Sequence, residues 1–173
     1  RAQRLRCKQL PMIHLVESGG ANLLYQAEIF VDGGRSFANQ ARLSAAGIPQ
    51  IAVVHGSSTA GGAYLPGMSD YVVLVREKSK IFLAGPPLVK AAIGEDADDE
   101  SLGGADLHGE VTGLGEYVAD DDAQALAYAR DIMDKLNWSE ATLSGGGEAP
   151  LMTRKSSWGS CRLMTARPMM FVM

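Results

Sequence analysis

The sequence has few of the residues from which metal sites and disulfide scaffolds are built. It contains two cysteines, Cys7 and Cys161, which stand far apart without the paired spacing of zinc ligands. A disulfide-stapled fold is therefore not expected, and the scarcity of cysteine fits a reducing compartment. No two of the three histidines have metal-ligand spacing, so the sequence predicts no metal in this chain.

Long hydrophobic runs are also missing. No apolar segment approaches the ~20 residues that a membrane-spanning helix needs. The basic residues at 1–9 lead into a strand-like run rather than into the core of a signal peptide. The net charge of −4 gives no reason to expect nucleic acid. Together these absences predict a cytoplasmic protein with neither a membrane nor a nucleic-acid partner.

The sequence does contain short apolar runs that alternate with helical patterns. Hydrophobic residues make up 46% and charged residues 21% of the chain, which is ordinary for a soluble globular domain. The apolar runs predict strands at residues 10–16, 51–54, 71–75 and 81–83. Strands that alternate with helices favour parallel pairing in an α/β fold.

Caps and periodicity predict the positions of the longer helices. The glycine pair at 33–34 predicts a break, and Ser36 is interpreted as the N-cap of a helix over 37–46. Gly47 is expected to end that helix. An acidic run predicts the start of a further amphipathic helix over 120–136.

Residues 48–75 place a glycine-rich corner between two apolar runs. The small residues 55–60 follow the first run, and Gly61 and Gly62 come next, before a helix start. The N–H groups of a helix start point outward toward an anion or a developing oxyanion, and glycine lets a bound group approach the backbone. The alternative is a tight strand-to-helix crossing at which glycine only relieves crowding.

The spacing around this corner argues against three familiar sites. A phosphate-binding P-loop needs Lys-Ser/Thr after the glycines, where this chain has Ala63 and Tyr64, and the G-x-G-x-x-G dinucleotide pattern is absent. A serine-hydrolase elbow needs glycine where Ala60 stands. The hydroxyl residues 57–59 are therefore interpreted as turn and capping residues, and a backbone oxyanion hole is left.

A second corner strengthens the oxyanion hypothesis. Ser18, Gly19, Gly20 and Ala21 follow the first predicted strand, as Gly61 follows the second. Two such corners at the carboxyl ends of two strands can bring two N–H donors to one point. Such a pair would stabilise a thioester enolate, and one oxyanion donor contributes about 2.7–4 kcal/mol.

The histidines offer little competition as catalytic residues. His14 lies inside a strand run and is interpreted as structural. His55 stands beside the corner, where it either contacts a ligand or makes a hydrogen bond within a turn. His108 and Asp106 are interpreted as a local hydrogen-bonded pair rather than as a catalytic dyad.

Four motifs give the sequence its resemblance to a known family. In order along the chain they are LVESGGANL (15–23), FANQARLSAAGIPQIAVVHGSSTAGGAYLPGMSDYVV (37–73), IFLAGPPLVKAA (81–92) and LGGADLH (102–108). The sequence resembles the carboxyltransferase β subunit of biotin-dependent acyl-CoA carboxylases, most closely the methylcrotonoyl-CoA branch. The resemblance covers roughly residues 10–137.

The resemblance implies a partial domain of the crotonase-like (ClpP/crotonase) α/β superhelical fold. It implies that this chain is most of the N-terminal, acyl-CoA-binding half of a carboxyltransferase, a component of a ligase that moves CO2 from carboxybiotin to an acyl-CoA. The biotin is implied to be carried on a partner biotin carboxylase or biotin carboxyl carrier subunit, and the intact enzyme to be a homo-oligomer. A eukaryotic source would place the protein in the mitochondrial matrix.

The family's site residues carry over onto particular positions here. Gly61 and Gly62 match the oxyanion corner, and Gly20 and Ala21 match the opposing loop. The residues implied to bind the acyl-CoA lie around and after these corners: Ala60, Gly85, Pro86, Gly104, Ala105, Asp106 and His108. The chemistry rests on backbone groups and positioning, which fits the shortage of a side-chain base.

The sequence departs from the family pattern toward its end. Residues 1–138 are assigned to the family domain without its upstream part, and 139–173 to a tail outside the family pattern. Five of the eight methionines fall after Pro150, in a segment with no core periodicity. The tail is interpreted as a frame-shifted, disordered product, a hypothesis that the codons of the gene would test.

Two further functions remain open at this stage. Lacking the biotin-binding domain, the chain is expected to be inactive alone, and it is alternatively a non-catalytic, truncated assembly module. A CoA-thioester decarboxylase or a crotonase-type hydratase is the other alternative. A hydratase should place paired glutamates beside the oxyanion hole, and none stands beside Gly20 or Gly62 in the sequence.

Overall fold

The computed structural model describes residues 10–138, which form five strands and a set of helices. The strands are β1 (Met12–Ser18), β2 (Gln50–Thr59), β3 (Tyr71–Val75), β4 (Lys80–Phe82) and β5 (Tyr117–Ala119). The α-helices are α1 (Gln26–Ala45), α2 (Tyr64–Gly67), α3 (Pro86–Ile93), α4 (Asp99–Gly103) and α5 (Asp122–Leu136). Short 3-10 turns occupy Leu23–Tyr25 and Ala60–Ala63, and a π-helical segment spans Leu107–Thr112.

The strands form one sheet in the order β1-β2-β3-β5, with β4 beside β2. Every strand pairing is parallel, as the alternation of strands and helices predicts. The long strand β2 lies between β1 and β3 in its first half and pairs with β4 in its second half. The fold is thus α/β with a parallel sheet, and β2 carries the chain from the centre of the sheet to the predicted corner.

Both faces of the sheet are covered, which explains why its strands are continuous apolar runs. One core contains residues from β1, β2 and β3 together with those of the corner and of β4: Val16, Ala52, Val54, Ala63, Leu65, Val72, Leu74, Ile81 and Ala105. The opposite core lies under α5 and contains Ile51, Val53, Val73, Val75, Ala119, Ala125, Ala129 and Ile132. The alternate residues of β2 and β3 therefore hold the helical layers on both sides of the corner.

Ser79 links β2 to the end of β3. Its hydroxyl donates to the carbonyl oxygen of Val54 at 2.5 Å and accepts the N–H of Val75 at 2.7 Å. The side chain is fully buried at the point where β3 ends and the chain turns toward β4. A serine can satisfy a backbone donor and a backbone acceptor at once, so this turn needs no further partner there.

Helix α1 is longer than the sequence pattern indicates. The predicted break at Gly33-Gly34 is wrong, because the helix runs without interruption from Gln26 to Ala45. Ser36 is an interior residue whose hydroxyl donates to the carbonyl oxygen of Gly33 at 2.6 Å, so it is not an N-cap. The second half of the helix is anchored by the buried Leu43, and this packing outweighs the weak helix propensity of two glycines.

The predicted end of α1 at Gly47 is confirmed. Gly47 has a φ of 69°, its N–H donates to Ser44 O at 2.8 Å, and the N–H of Ile48 donates to Leu43 O at 3.0 Å. This pair of bonds is the Schellman arrangement, which requires a left-handed residue after the helix. The turn delivers the chain directly into β2.

We expect Gly34→Ala to stabilise the protein. A Cβ at Gly34 meets no atom within 4 Å, and the residue lies inside the helix with ordinary helical geometry. Alanine replaces the least favourable ordinary helix residue, so the free energy of unfolding should rise by about 0.5–1 kcal/mol. Urea unfolding followed by circular dichroism measures the change. An unchanged or lower stability would mean that the helix does not persist through the glycine pair.

Helix α5 was predicted from the sequence, whereas strand β5 was not. The helix after the acidic run is confirmed: α5 begins at Asp122, and the carboxylate of Asp121 accepts the N–H of Gln124 at 2.7 Å. Strand β5, Tyr117–Ala119, was not predicted, because three residues are too short to show a period.

The tail at 139–173, both cysteines and residues 1–9 lie outside the described residues. Within residues 10–138, no helix is long and apolar enough to cross a membrane.

Candidate functional site

The two predicted glycine corners lie side by side at one edge of the sheet. β1 and β2 are parallel neighbours, so both strands end at the same edge, and Ser18 pairs with Ser58 there after a register shift. The hydroxyl of Thr59 donates to the carbonyl oxygen of Ser18 at 3.2 Å. The ends of the two strands are therefore fixed to each other by a side chain as well as by the sheet.

The corners also touch through their glycines. A Cβ at Gly62 would lie 2.9 Å from Ser18 Cβ and 3.0 Å from Ser18 Oγ. A Cβ at Gly20 would lie 3.6 Å from Ala60 Cβ, and Gly20 has a φ of 92° that favours glycine. Glycine at position 62 therefore lets one corner pack closely against the Ser18 side chain of the other, whereas glycine at position 20 suits the backbone conformation.

The second corner is a short 3-10 turn, Ala60–Ala63, that leads into α2. Ala60 enters it with a φ of 51°, an uncommon conformation for a residue with a side chain. The hydroxyl of Ser58 donates to the carbonyl oxygen of Gly62 at 3.0 Å. The prediction that residues 57–59 are turn and capping residues is wrong: all three belong to β2, and Thr59, which precedes the turn, makes no side-chain cap hydrogen bond.

The backbone at Gly61 faces open space. A Cβ at this position would meet no atom within 4 Å, in contrast to its neighbour Gly62. The first N–H groups of a 3-10 or α-helical turn have no acceptor inside the turn. The Cα of Gly61 is therefore open on a side from which a flat group can approach the backbone closely.

In the opposing loop after β1, one backbone N–H already has a partner. The N–H of Gly20 donates to Ser18 Oγ at 3.3 Å, which is a long bond. Gly19 has no atom within 4 Å of a built Cβ, and Ala21 is exposed. The loop after β1 thus carries an open backbone surface beside the open surface of Gly61.

A third corner lies at the same edge of the sheet. β4 pairs with the second half of β2, so that Phe82 lies beside Thr59. Gly85 and Pro86 follow shortly after, where Gly85 is the N-cap of α3 and a Cβ on it would lie 3.2 Å from Phe82 Cε2. The structure therefore brings the predicted residues Gly85 and Pro86 to the edge that holds the two glycine corners.

The cluster at 104–108 supports β4 from the other side. Gly104 bridges to Lys80, and Ala105 is buried in the core. The imidazole of His108 lies between two partners, with Nε2 2.8 Å from Ile81 O and Nδ1 2.9 Å from Thr112 Oγ1. Because a carbonyl only accepts, His108 Nε2 carries the proton, so this histidine is committed to holding β4 in place.

His108 and Asp106 do not form the predicted local pair. Asp106 accepts a hydrogen bond from Arg76 Nη1 at 2.8 Å, while His108 has the two partners just given. His55 likewise lies inside β2 rather than in a turn. Asp106 and His108 are close along the chain but bond to different partners, Arg76 and Ile81.

His14 has the structural position that its place in a strand predicts. It lies in β1, and burial lowers its pKa from the ordinary value of 6.5, opposed by a weaker hydrogen-bonding contribution from Gln50 that raises the pKa. The folded protein therefore favours the neutral imidazole, while the unfolded chain binds a proton at higher pH. The stability that His14 contributes is complete above pH 6.5 and is lost as the pH falls from there toward the lowered pKa.

We expect the free energy of unfolding to decrease as the pH falls from 7 to 5, with part of the slope due to His14. One proton contributes at most about 1.4 kcal/mol per pH unit. The measurement is urea unfolding at several pH values for the protein and for His14→Gln, which cannot titrate. The variant should have the shallower slope, and equal slopes would assign the pH dependence to other groups.

Two buried glutamines were missed in the sequence. Gln40 Nε2 donates to Leu65 O at 2.7 Å and lies 3.2 Å from Ser69 Oγ, which also donates to Leu65 O. Gln50 Nε2 donates to Gln40 O at 2.9 Å. This network ties α1 to the helix that follows the Ala60–Ala63 turn. The signal for it in the sequence is the polar residue Gln50 directly before the apolar run 51–54, at the start of β2.

The chain matches the family model described as the carboxyl transferase domain over residues 1–169. It is 61% identical over 130 residues to the probable biotin-dependent acyl-coenzyme A carboxylase beta2 subunit of Mycobacterium tuberculosis, covering 75% of this chain and 25% of that protein. It is 58% identical over 134 residues to the probable mitochondrial methylcrotonoyl-CoA carboxylase beta chain of Drosophila melanogaster, covering 76% and 23%.

A solved structure has the same architecture. The beta subunit of P. aeruginosa geranyl-CoA carboxylase matches with a TM-score of 0.73 and 60% sequence identity, covering 79% of this chain and 26% of that one. The crotonase-like fold expected from the sequence motifs is thereby confirmed. The chain spans about a quarter of the length of the relatives it matches.

Proposed function

This chain belongs to the carboxyl transferase domain family, and we propose that it forms the acyl-CoA half of the active site of a biotin-dependent acyl-CoA carboxylase. The observation that carries the proposal is the direct contact between the two glycine corners, with an open backbone surface on each. The named relatives and the matched solved structure support the same reaction class.

The chemistry assigned to this chain is stabilisation of an enolate. When the carbon acid conjugated to the thioester of an acyl-CoA loses its proton, negative charge develops on the thioester oxygen. Backbone N–H groups of Gly61 and Gly62 on one side, and of Gly20 and Ala21 on the other, would donate to that oxygen, and the Gly20 N–H would exchange its long bond to Ser18 Oγ for the bond to the enolate. Each such donor contributes about 2.7–4 kcal/mol to catalysis because it is positioned before the reaction.

The substrate fits the space that the glycines leave. A thioester is flat, and the open surfaces at Gly61 and Gly19 admit a flat group next to the backbone. Ala60, Gly85 and Pro86 would line the acyl group from the neighbouring strand ends. The cluster Gly104–His108 would shape the acyl pocket indirectly, by holding β4 in position through the bond between His108 and Ile81 O.

Carboxybiotin, when bound, supplies the CO2 to be transferred. We assign it to a partner subunit, because one relative is named as the beta2 subunit of a biotin-dependent carboxylase and the other as a carboxylase beta chain. No residue of this chain is assigned to hold it. The acyl-CoA is methylcrotonoyl-CoA or a related branched compound, and the intact enzyme is a homo-oligomer located in a bacterial cytoplasm or a mitochondrial matrix.

Calorimetric titration of the protein with acyl-CoAs of different length and branching tests the proposal. Methylcrotonoyl-CoA should bind, and free CoA should bind more weakly because it lacks the thioester oxygen. A folded protein that binds none of the thioesters would favour the alternative of a non-catalytic assembly module. Release of CO2 from a carboxylated acyl-CoA would instead favour a decarboxylase.

A further inference from the structure

A pocket of about 190 Å³ lies between β1, α1 and β2, away from the glycine corners. Its lining includes Met12 and His14 from β1, Gln40 and Leu43 from α1, and Gln50 and Leu65. We call it the β1–α1 pocket. Met12 pairs with Gln50 across the strands, so their side chains share the face of the sheet that α1 covers.

Three buried polar atoms around this pocket have no hydrogen-bond partner within the described residues. They are His14 Nε2, Gln40 Oε1 and Gln50 Oε1; the Gln50 side chain is near enough to His14 to affect its pKa, but no bond of hydrogen-bond geometry joins the two. Gln40 is 2% and Gln50 0% exposed, so bulk water does not reach either amide. A buried polar atom without a partner is costly, and native proteins satisfy such atoms with protein groups or with ordered water.

The orientations of the two amides follow from their other bonds. Gln40 Nε2 donates to Leu65 O, and Gln50 Nε2 donates to Gln40 O. Turning either amide over would place its oxygen against a carbonyl oxygen. The unpartnered atoms are therefore two acceptors, and they need donors.

We propose that the β1–α1 pocket is a water-binding site, in which ordered water donates to Gln40 Oε1 and Gln50 Oε1 and accepts the Nε2–H of a neutral His14. A water molecule has two hydrogens and two lone pairs, which matches two acceptors and one donor, and buried water typically makes about three such bonds. The pocket has room for more than one molecule. This site is independent of the proposed carboxyltransferase function.

Water at this site holds the Gln40 amide in the orientation that binds Leu65 O. Leu65 belongs to α2, which directly follows the turn Ala60–Ala63. The hydrated pocket is thus a support for the helix behind the glycine corner. Its lining contains His14 as the one titratable side chain among the residues that the structure describes there.

Substitution of His14 by leucine distinguishes a hydrated pocket from a dry one. In a hydrated pocket, His14→Leu removes one partner of the water and leaves glutamine oxygens poorly satisfied, so Tm should fall by roughly 3–8 °C. In a dry pocket, leucine replaces an unpaired buried nitrogen with carbon, and Tm should rise. Met12→Leu is the matched control, because it changes the same lining but keeps all three polar atoms. A fall no larger than that of Met12→Leu would overturn the proposal.

Two direct measurements do not depend on any variant that might fold poorly. Long-range proton–nitrogen NMR of the unaltered chain at pH 7.5 should show His14 as the Nε2–H tautomer; an Nδ1–H tautomer would overturn the assignment. A high-resolution crystal structure should show water within about 3.2 Å of at least two of the three atoms. Density that shows direct contacts among His14 and the two glutamines, without water, would also overturn it.

Discussion

Gly61→Val should weaken the binding of methylcrotonoyl-CoA at least tenfold without unfolding the protein, a loss of about 1.4 kcal/mol or more in binding free energy. The substitution puts two methyl groups into the space where the thioester is proposed to lie. Within residues 10–138, no atom outside the adjoining backbone lies within 4 Å of the new Cβ, so this part of the folded state is not crowded. Gly61 also lacks a left-handed φ, so valine adds no backbone strain of that kind.

The measurement combines calorimetric titration with thermal unfolding of the same sample. Gly67→Ala is the matched control. A Cβ added at Gly67 also meets no described atom within 4 Å, but Gly67 lies at the end of α2 away from the glycine corner. We expect the control to keep both the affinity and the Tm of the unaltered protein. Equal affinity in Gly61→Val and the control would remove Gly61 from the site, whereas thioester binding by the unaltered protein would still support the proposed function.

The adjacency of the two corners was predictable from the sequence, and the reason is topological. Two apolar runs followed by glycines predict two strand ends, and parallel pairing puts strand ends at one edge. The contact itself was not predictable. That Gly62 lies against Ser18, while Gly61 next to it is open, depends on the turn geometry that begins with the left-handed Ala60.

The continuous helix α1 shows where local signals fail. Two adjacent glycines and a serine predict a break and a cap, because propensity is all that a short window reports. The structure keeps the helix because its buried residues Gln40 and Leu43 pack on the sheet. Tertiary contacts of this kind are invisible until the strands are placed.

The candidate site is difficult to recognise from residue types because it consists mainly of backbone groups. His108 follows the acidic residue Asp106 closely and resembles half of a catalytic pair, but its imidazole binds the carbonyl oxygen of Ile81 in β4. Glycines signal only that a side chain is not tolerated or not needed. The assignment therefore rests on the motifs shared with the family together with the contact between corners, and neither alone specifies an enolate site.

Gly62→Ala should lower the free energy of unfolding by roughly 1–3 kcal/mol, and Ser18→Gly should restore most of that loss. The methyl group of alanine would lie 2.9 Å from Ser18 Cβ, which is closer than two carbon atoms pack. Gly62 does not have a left-handed φ, so the clash with Ser18 is the cause of the destabilisation. Removing the Ser18 side chain removes the clashing atoms.

A double-mutant cycle measured by urea unfolding isolates this contact. Ser18→Gly alone also loses the bond from the N–H of Gly20, and the cycle subtracts that separate cost. A coupling free energy of about 1 kcal/mol or more, in favour of the double variant, is expected because the two changes share one space. Additive effects would show that the corners do not touch in solution. Since Gly62→Ala acts by separating the corners and Gly61→Val by filling the open space at Gly61, only the first should respond to the change at Ser18.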